Sequence, residues 1–296
     1  MNGIPRRPFG ATGLTVSALG FGGGQIGAAS LADRDAERLV GLALDLGLTL
    51  FDTARGYGLS EARLGRFLRA RRADVVLSTK VGYGIPGHHD WTAGAVAAGV
   101  DEALRTLGTD WIDIVHLHSC PVEVLRQGDV SEALAAARQA GKIRVAAYSG
   151  ENEPLAHAIA DPRFQGVQTS VNLADQRGLA TALPQAQARG MGVIAKRPVA
   201  NAPWRFDTRP YGHYAEEYWH RWQTMDLDPG GLDWQDLAPR FAAFLPEVHS
   251  CIVGTVNPDH LRQNAAAVSQ GPLPASQVAA IRQAFRDHDE DWEGLT

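Results

Sequence analysis

Eight short apolar runs, separated by segments of helical periodicity, recur along the chain and constrain its fold more than any other feature. The runs cover residues 18–22, 49–53, 75–81, 112–118, 143–149, 166–171, 192–196 and 251–254. Continuously apolar runs predict parallel strands that are buried on both faces. Eight strand–helix units in 296 residues favour a closed (β/α)8 TIM barrel, and an open sheet with extra strands is the alternative.

The segments between the runs carry helix signals at both ends. Helices are predicted over residues 33–46, 60–71, 92–107, 131–140 and 259–268. Asp33 and Ser60 are predicted N-caps, and helix ends are predicted at Gly47, Gly108, Gly141 and Gly190. Because no repeat or linker interrupts the pattern, we expect residues 1–296 to form a single domain.

Two regions break the strand–helix rhythm. Residues 6–16 predict a small β-hairpin ahead of the first barrel strand. Residues 201–232, after the seventh barrel strand, predict a long loop rich in aromatic residues, which in a compact domain is usually a lid or a binding loop. A helix packed on the outer wall is the alternative for Tyr218 and Trp222.

Composition excludes several classes of protein. The net charge of −5, with mixed signs, gives no electrostatic footprint for nucleic acid or anionic lipid. No run of about 18 apolar residues could span a bilayer, and residues 1–9 lack the apolar core of a signal peptide. Two cysteines, Cys120 and Cys251, cannot form a disulfide framework, so we expect a reducing, cytoplasmic setting.

Polar residues stand at the ends of consecutive predicted strands. Asp52, Lys80 and His118 end the second, third and fourth barrel strands, and Tyr57 follows Asp52 in the next loop. Active sites of such barrels lie where the strands end. A nearby ammonium favours the phenolate of a tyrosine, so Asp52, Lys80 and Tyr57 would form a proton-handling unit. A structural ion pair beside a packing tyrosine is the alternative.

His116 and His118 support a competing hypothesis. Residues two apart on a strand face the same side, so both would point into the barrel and could begin a metal-hydrolase site. No further histidine ends a later strand, and His249 precedes the last one. We therefore expect no metal, with His116 as a hydrogen-bonded core residue.

Lysine is rare in this chain. Only Lys80, Lys142 and Lys196 are lysines among 28 basic residues. Where arginine serves almost everywhere, a lysine can mark a position at which arginine does not function. The chemistry above gives such a reason for Lys80, because a guanidinium is a planar fork rather than a compact charge.

Several segments together resemble the aldo-keto reductase superfamily over nearly the whole chain. They are residues 10–22 (GATGLTVSALGFG), 51–58 (FDTARGYG), 77–82 (LSTKVG), 101–118 (DEALRTLGTDWIDIVHLH) and 140–149 (AGKIRVAAYS), with weaker matches at 168–172 and 252–264. The resemblance implies an NAD(P)-dependent oxidoreductase that interconverts a carbonyl (aldehyde, ketone or sugar) and an alcohol. A slow or regulatory cofactor-binding member of the family is the alternative.

The resemblance assigns a catalytic tetrad to Asp52, Tyr57, Lys80 and His118. Tyr57 would give a proton to the carbonyl oxygen or take one from the alcohol. Lys80 would tune Tyr57, Asp52 would hold Lys80, and His118 would orient the carbonyl by a hydrogen bond.

The resemblance also assigns a cofactor site, expected to take NADP, with NAD possible. Gly23, Ser149 and Gln168 match cofactor-binding positions, although Gly150 replaces a usual asparagine. Lys196 and Arg197 stand where an aromatic residue normally stacks on the nicotinamide, and we expect one of them to reach the pyrophosphate or the substrate.

The last segment corresponds to the adenosine end of that site. It contains Gly254, Thr255, His260, Gln263 and Asn264. Gly254 and His260 replace usual basic residues and Gln263 a usual glutamate, which weakens a preference for NADP. The N-terminus of the helix that begins near Pro258 remains an anion site.

Substrate recognition is assigned to the loops around the mouth. Trp91, Ser119 and Trp204 are the predicted substrate residues. We expect a small-molecule carbonyl or sugar as the partner, with no nucleic acid and no membrane, and a monomer or small homo-oligomer.

Overall fold

Eight parallel strands close into a barrel in the computed structural model, which describes residues 3–295. The strands are β3 (Leu19–Gly22), β4 (Leu50–Asp52), β5 (Val76–Val81), β6 (Ile112–His118), β7 (Ile143–Ser149), β8 (Gly166–Ser170), β9 (Gly192–Lys196) and β10 (Ser250–Val253). Neighbours follow chain order from β3 to β9, and β10 pairs with both β9 and β3. The predicted (β/α)8 TIM barrel is confirmed.

An antiparallel hairpin precedes the barrel, as predicted. It consists of β1 (Arg6–Pro8) and β2 (Thr15–Ser17), in register from Arg6 opposite Ser17. Phe9 lies in the turn of this hairpin and is fully buried. It closes the bottom of the barrel, where it packs among inward-pointing apolar side chains that include Leu50, Ile114 and Ile194. The bottom of the barrel is therefore a packed core, and the opposite end is left for the site.

Helices cover the outside of the barrel. They are α1 (Asp33–Asp45), α2 (Ser60–Leu68), α3 (Ala93–Leu107), α4 (Val122–Gln127), α5 (Asp129–Gln139), α6 (Asn152–Ala160), α7 (Arg177–Ala180), α8 (Leu183–Ala188), α9 (Glu216–Met225), α10 (Trp234–Ala243), α11 (Pro258–Ser269) and α12 (Ala275–His288). Short 3-10 helices cover Gln25–Gly27, Arg69–Asp74 and Pro203–Arg205. Between residues 3 and 295, no helix is long and apolar enough to cross a membrane.

The predicted helix ends are right at the C-termini and wrong at two N-termini. Gly47, Gly108, Gly141 and Gly190 all have the positive φ of a helix terminus, from 62° to 85°. Asp33 and Ser60 are first helical residues, and Ala32 and Leu59 are the N-caps. The reason is tertiary: the Asp33 carboxylate binds Arg63, and the Ser60 hydroxyl donates to the Gly23 carbonyl oxygen.

The aromatic segment after β9 is only partly a loop. It contains the 3-10 helix Pro203–Arg205 and helix α9, which the prediction of a long loop missed. The Tyr218 side chain is fully buried against Ala174 and Ala200, in the segments after β8 and β9. Tyr218 therefore lies on a helix, as the alternative predicted, but these contacts are with loops and not with the outer wall of the barrel. Burial of Tyr218, Arg221 and Met225 on one side of α9 stabilises the helix in a segment whose length predicted a loop.

Candidate active site

All four residues of the predicted tetrad meet at one mouth of the barrel. Asp52 and His118 are the last residues of β4 and β6, and Lys80 is the penultimate residue of β5. Tyr57 lies in the turn between β4 and α2. Because these strands are neighbours, their carboxyl ends bring the four side chains together.

A buried ion pair forms the base of this group. Nζ of Lys80 donates to Oδ2 of Asp52 at 2.6 Å and to the Thr53 carbonyl oxygen at 2.8 Å. Burial acts against both charges, but their mutual attraction outweighs it: the pKa of Lys80 is raised and the pKa of Asp52 is lowered. Lys80 is therefore a fixed, compact positive charge across the physiological pH range.

Tyr57 lies against this charge. The Lys80 ammonium is 4.9 Å from the centre of the Tyr57 ring. The turn that carries Tyr57 fits closely over Gly27, where an added Cβ would lie 1.7 Å from the Tyr57 carbonyl oxygen. A side chain at Gly27 would therefore displace Tyr57 from the ammonium.

His118 lies beside Tyr57 at the same mouth. Its ring meets the Tyr57 ring edge-on, with centroids 5.9 Å apart. Burial, reinforced by the positive charge of Lys80, lowers the pKa of His118 to about 3, so the imidazole is neutral at physiological pH.

Tyr83 contacts His118, and the sequence analysis did not select it. The Tyr83 hydroxyl lies 2.7 Å from Nδ1 of His118, and the two rings stack with centroids 5.5 Å apart. The available signal was its place two residues beyond the end of β5, in a loop at the same mouth as Tyr57.

A hydrogen-bonded network joins Asp52 to the neighbouring strands. Oδ1 of Asp52 accepts from the Ser78 hydroxyl at 2.8 Å and from Nε2 of Gln168 at 2.9 Å. Oε1 of Gln168 in turn accepts from the Ser149 hydroxyl at 3.0 Å. Ser149 and Gln168, two predicted cofactor residues, therefore lie directly beside the tetrad.

His116 belongs to the same network. Its Nε2 lies 3.0 Å from the Ser78 hydroxyl, and the side chain is fully buried, which lowers its pKa to about 4. Across residues 3–295, no group of three or more His, Cys, Asp or Glu side chains could hold a metal ion. His249 lies at the other end of the barrel, where its Nδ1 accepts from the Val193 amide.

Lys196 and Arg197, at and just after the end of β9, both contact protein groups around Ser170. Nζ of Lys196 lies 3.0 Å from Oε1 of the buried Glu151, and burial lowers the pKa of Lys196. The Arg197 guanidinium donates to the Ser170 hydroxyl at 3.0 Å and to the Leu295 carbonyl oxygen. Both predicted cofactor residues are engaged by protein groups.

Three glycines, Gly22, Gly23 and Gly254, lie where β3 and β10 end. The Gly23 amide donates to the Asp52 carbonyl oxygen at 2.7 Å, which ties the end of β3 to the tetrad. A Cβ at Gly254 would lie 2.1 Å from Oε1 of Gln25, and one at Gly22 would lie 3.3 Å from the Gly254 amide nitrogen. The chain packs too closely here to accept a side chain at Gly254, and a side chain at Gly22 would be tight.

Beyond Gly254 the chain runs directly into the start of α11. Thr255 accepts from the Asn257 amide, and the Asn257 side chain caps the helix. His260 and Gln263 are exposed on the first turns, whereas Asn264 is buried and donates to the His260 carbonyl oxygen. Thr255, His260 and Gln263 are thus accessible from solvent at a helix N-terminus, which favours anions.

The three predicted substrate residues occupy different surroundings. Trp91 meets Tyr83 edge-on at 5.7 Å and so lines the tetrad side of the mouth. Ser119 is exposed directly after His118, and its amide donates to the Ser149 carbonyl oxygen. Trp204 stacks on Trp234 at 6.2 Å, in an aromatic cluster of the segment after β9.

Known proteins match this chain along most of its length. The model of the aldo/keto reductase family covers residues 18–286. L-galactose dehydrogenase from Arabidopsis thaliana is 30% identical, covering 91% of this chain and 90% of the relative. D-threo-aldose 1-dehydrogenase from a Pseudomonas species is 27% identical, covering 93% and 95% respectively.

A solved structure agrees with the sequence matches. An aldo-keto reductase from Bacillus halodurans, in its holo form, superposes with a TM-score of 0.80 and 26% identity, and covers 95% of this chain and 96% of that one. The closed barrel, the strand-end tetrad and the match over residues 18–286 lead to one conclusion. This chain belongs to the aldo/keto reductase family and is an oxidoreductase.

Proposed function

We propose that this protein acts on a sugar, either by interconverting its carbonyl group and an alcohol or by oxidising the lactol carbon of its cyclic form. Tyr57 is the proton donor and acceptor. The observation that carries the proposal is the position of the Lys80 ammonium, fixed by Asp52 at 2.6 Å and 4.9 Å from the Tyr57 ring centre. A fixed positive charge there stabilises the phenolate that remains when Tyr57 gives up its proton.

His118 takes a different role from Tyr57. With its pKa lowered to about 3, it carries no surplus proton at neutral pH and cannot serve as the acid. A neutral imidazole still has one N–H, which can donate a hydrogen bond to the carbonyl oxygen and orient it toward Tyr57. In carbonyl reduction the Tyr57 proton moves to that oxygen, and Lys80 stabilises the phenolate that remains.

The residues around the mouth fit a nicotinamide cofactor. The Gly23 amide is hydrogen-bonded to the Asp52 carbonyl oxygen, and the exposed Gly254 leads to the exposed first turn of α11. Ser149 and Gln168 supply a hydroxyl and a carboxamide beside the tetrad. When bound, the cofactor supplies or accepts the hydride; the polar groups of this chain hold it and move the proton.

The anion end of the cofactor site carries little positive charge. Arg262 is the basic residue on the first turns of α11, and it pairs with Asp259 at 3.3 Å. We propose NADP as the cofactor, held by the helix N-terminus together with Thr255 and His260. NAD is a second cofactor that the protein can use.

The substrate class follows from the surroundings of Tyr57 and from the relatives. Tyr83 and Trp91 form an aromatic wall beside His118, a surface on which sugar rings stack, and Ser119 adds an exposed hydroxyl. Two similar proteins bear the names of sugar dehydrogenases. We therefore favour an aldose over a bulky hydrophobic ketone.

Nicotinamide absorbance tests the proposal directly. The purified protein is assayed with aldoses plus NADP or NAD, and with small aldehydes plus the reduced cofactors. We expect turnover with at least one aldose and its loss in Tyr57→Phe, while cofactor binding by the variant stays within about threefold of the wild type. Full turnover by Tyr57→Phe would overturn the assignment of the proton to Tyr57.

A further inference from the structure

The contact between Tyr83 and His118 determines which nitrogen of the histidine carries its proton. The Tyr83 hydroxyl lies 2.7 Å from Nδ1 of His118, a distance that requires a shared hydrogen. A neutral imidazole has one N–H and one bare nitrogen, so either Tyr83 donates to Nδ1 or Nδ1 donates to Tyr83. These two arrangements are different tautomers: in the first Nε2 carries the proton, and in the second Nε2 is the bare nitrogen.

The stacking of the two rings makes this contact a fixed one. The planes of the two rings are 27° apart with centroids at 5.5 Å, and Trp91 meets the Tyr83 ring edge-on with centroids 5.7 Å apart. A Cβ added to Gly56 would lie 3.0 Å from the Tyr83 hydroxyl oxygen, so the backbone closes over that atom as well. Tyr83 is held by its neighbours on several sides.

The chemistry of the two groups selects the donor. A phenol is a stronger acid than a neutral imidazole N–H, and an imidazole nitrogen is a stronger base than a phenol oxygen. Burial raises the pKa of Tyr83, so its hydroxyl keeps its proton at neutral pH, while the lowered pKa of His118 keeps the ring neutral. The O–H of Tyr83 is therefore the donor.

We propose that Tyr83 is a positioning residue that donates to Nδ1 of His118 and so fixes the tautomer with the proton on Nε2. The two ring nitrogens point in nearly opposite directions, so Nε2–H points away from Tyr83 and is free to donate. The hydrogen bond at one nitrogen of a histidine sets the role of the other.

The effect of Tyr83 on catalysis rests on the proposed function, whereas its effect on the tautomer of His118 does not. With the proton on Nε2, His118 offers a donor to a carbonyl oxygen. With the proton on Nδ1, the same ring would offer a lone pair that repels the oxygen. Tyr83 thus acts through His118 and need not touch the substrate.

Nitrogen-15 NMR of the histidine rings tests the tautomer in the full-length protein without added cofactor. The His118 signals are identified by their loss in His118→Gln. We expect wild-type His118 to show a bare Nδ1 and a protonated Nε2 at neutral pH. A protonated Nδ1 in the wild type would overturn the proposal, whether or not any variant folds.

Tyr83→Phe removes the hydroxyl and keeps the ring. We expect its His118 signals to shift toward a mixture of tautomers and its kcat to fall roughly tenfold, with the KM for cofactor unchanged. Tyr148→Phe is the matched control, because its hydroxyl donates to the Cys120 carbonyl oxygen at 3.2 Å and to no histidine. An unchanged tautomer in Tyr83→Phe would contradict the role of the hydroxyl.

The two proposals fail separately. If Nε2 is protonated but Tyr57→Phe retains turnover, the tautomer stands and the proton role of Tyr57 falls. If Nδ1 is protonated and Tyr57→Phe is inactive, the reverse holds.

Discussion

Lys196 on β9 forms an ion pair with Glu151, which follows β7, with Nζ 3.0 Å from Oε1. The Glu151 side chain is 3% exposed and also accepts from the Ser170 amide at 2.9 Å and from the hydroxyls of Thr169 and Ser170. The pair spans the end of β8 and ties three neighbouring strands together at the mouth. Lys196 thus stabilises the rim of the barrel beside the tetrad.

Replacement of Lys196 by methionine should destabilise the protein. Met keeps the length and apolar stem but leaves the buried Glu151 carboxylate without its cation. We expect the free energy of unfolding to fall by about 1–3 kcal/mol, measured by urea denaturation. Lys142→Met, which breaks an exposed pair with Asp101, should cost at most about 0.5 kcal/mol.

A double-mutant cycle isolates the pair itself. Glu151→Gln in the Lys196→Met background should recover part of the loss, because the remaining amide needs no counterion. Equal costs for the Lys196 and Lys142 variants would show that the pair at the rim adds no stability.

Replacement of Lys80 by arginine should abolish most activity although the charge is kept. The buried site holds Nζ within 2.8 Å of two oxygen atoms, and a guanidinium is larger, planar and cannot occupy that position. We expect kcat to fall by about a hundredfold or more, assayed by nicotinamide absorbance below the melting temperature of the variant. Lys142→Arg, at the start of β7 on the other end of the barrel, should keep wild-type turnover.

Strand positions could be predicted because the barrel strands are largely apolar runs, and four of them (β4, β6, β7 and β9) follow a helix that ends at a glycine. The tetrad could be predicted for the same reason, since residues that end neighbouring strands share one mouth. The contact partners of individual side chains could not be predicted in this way. Glu151 and Lys196 form their pair although they lie 45 residues apart. Asp33 and Ser60 have the residue types of N-caps, but their side chains bind Arg63 and the Gly23 carbonyl oxygen instead.

Replacement of His260 by arginine should increase preference for NADP over NAD. His260 is exposed on the first turn of α11, where an added guanidinium can form charge-assisted hydrogen bonds with a phosphate. We expect the ratio of NADP to NAD affinity to rise about tenfold at low salt and less at high salt. Ala266→Arg, exposed further along the same helix, is the control; an equal gain there would show that the helix N-terminus is not the phosphate site.

Asp175 should make the protein less stable as pH rises. Burial, together with the negative charge of Glu151, raises the pKa of Asp175 to about 7, against the attraction of Arg221 and a hydrogen bond from Tyr218. The folded state therefore holds a proton that the unfolded chain releases near its ordinary pKa, so this stabilisation is complete in acid and lost as pH rises through about 7. Between about pH 5 and pH 8, Asp175→Asn should remove a decline of roughly 2 kcal/mol in the free energy of unfolding, measured by urea denaturation at each pH. Asp110→Asn, at an exposed position before β6, is the control and should leave the decline in place. If the stability of the wild type does not fall over this range relative to that of Asp175→Asn, then Asp175 is already ionised in the folded protein.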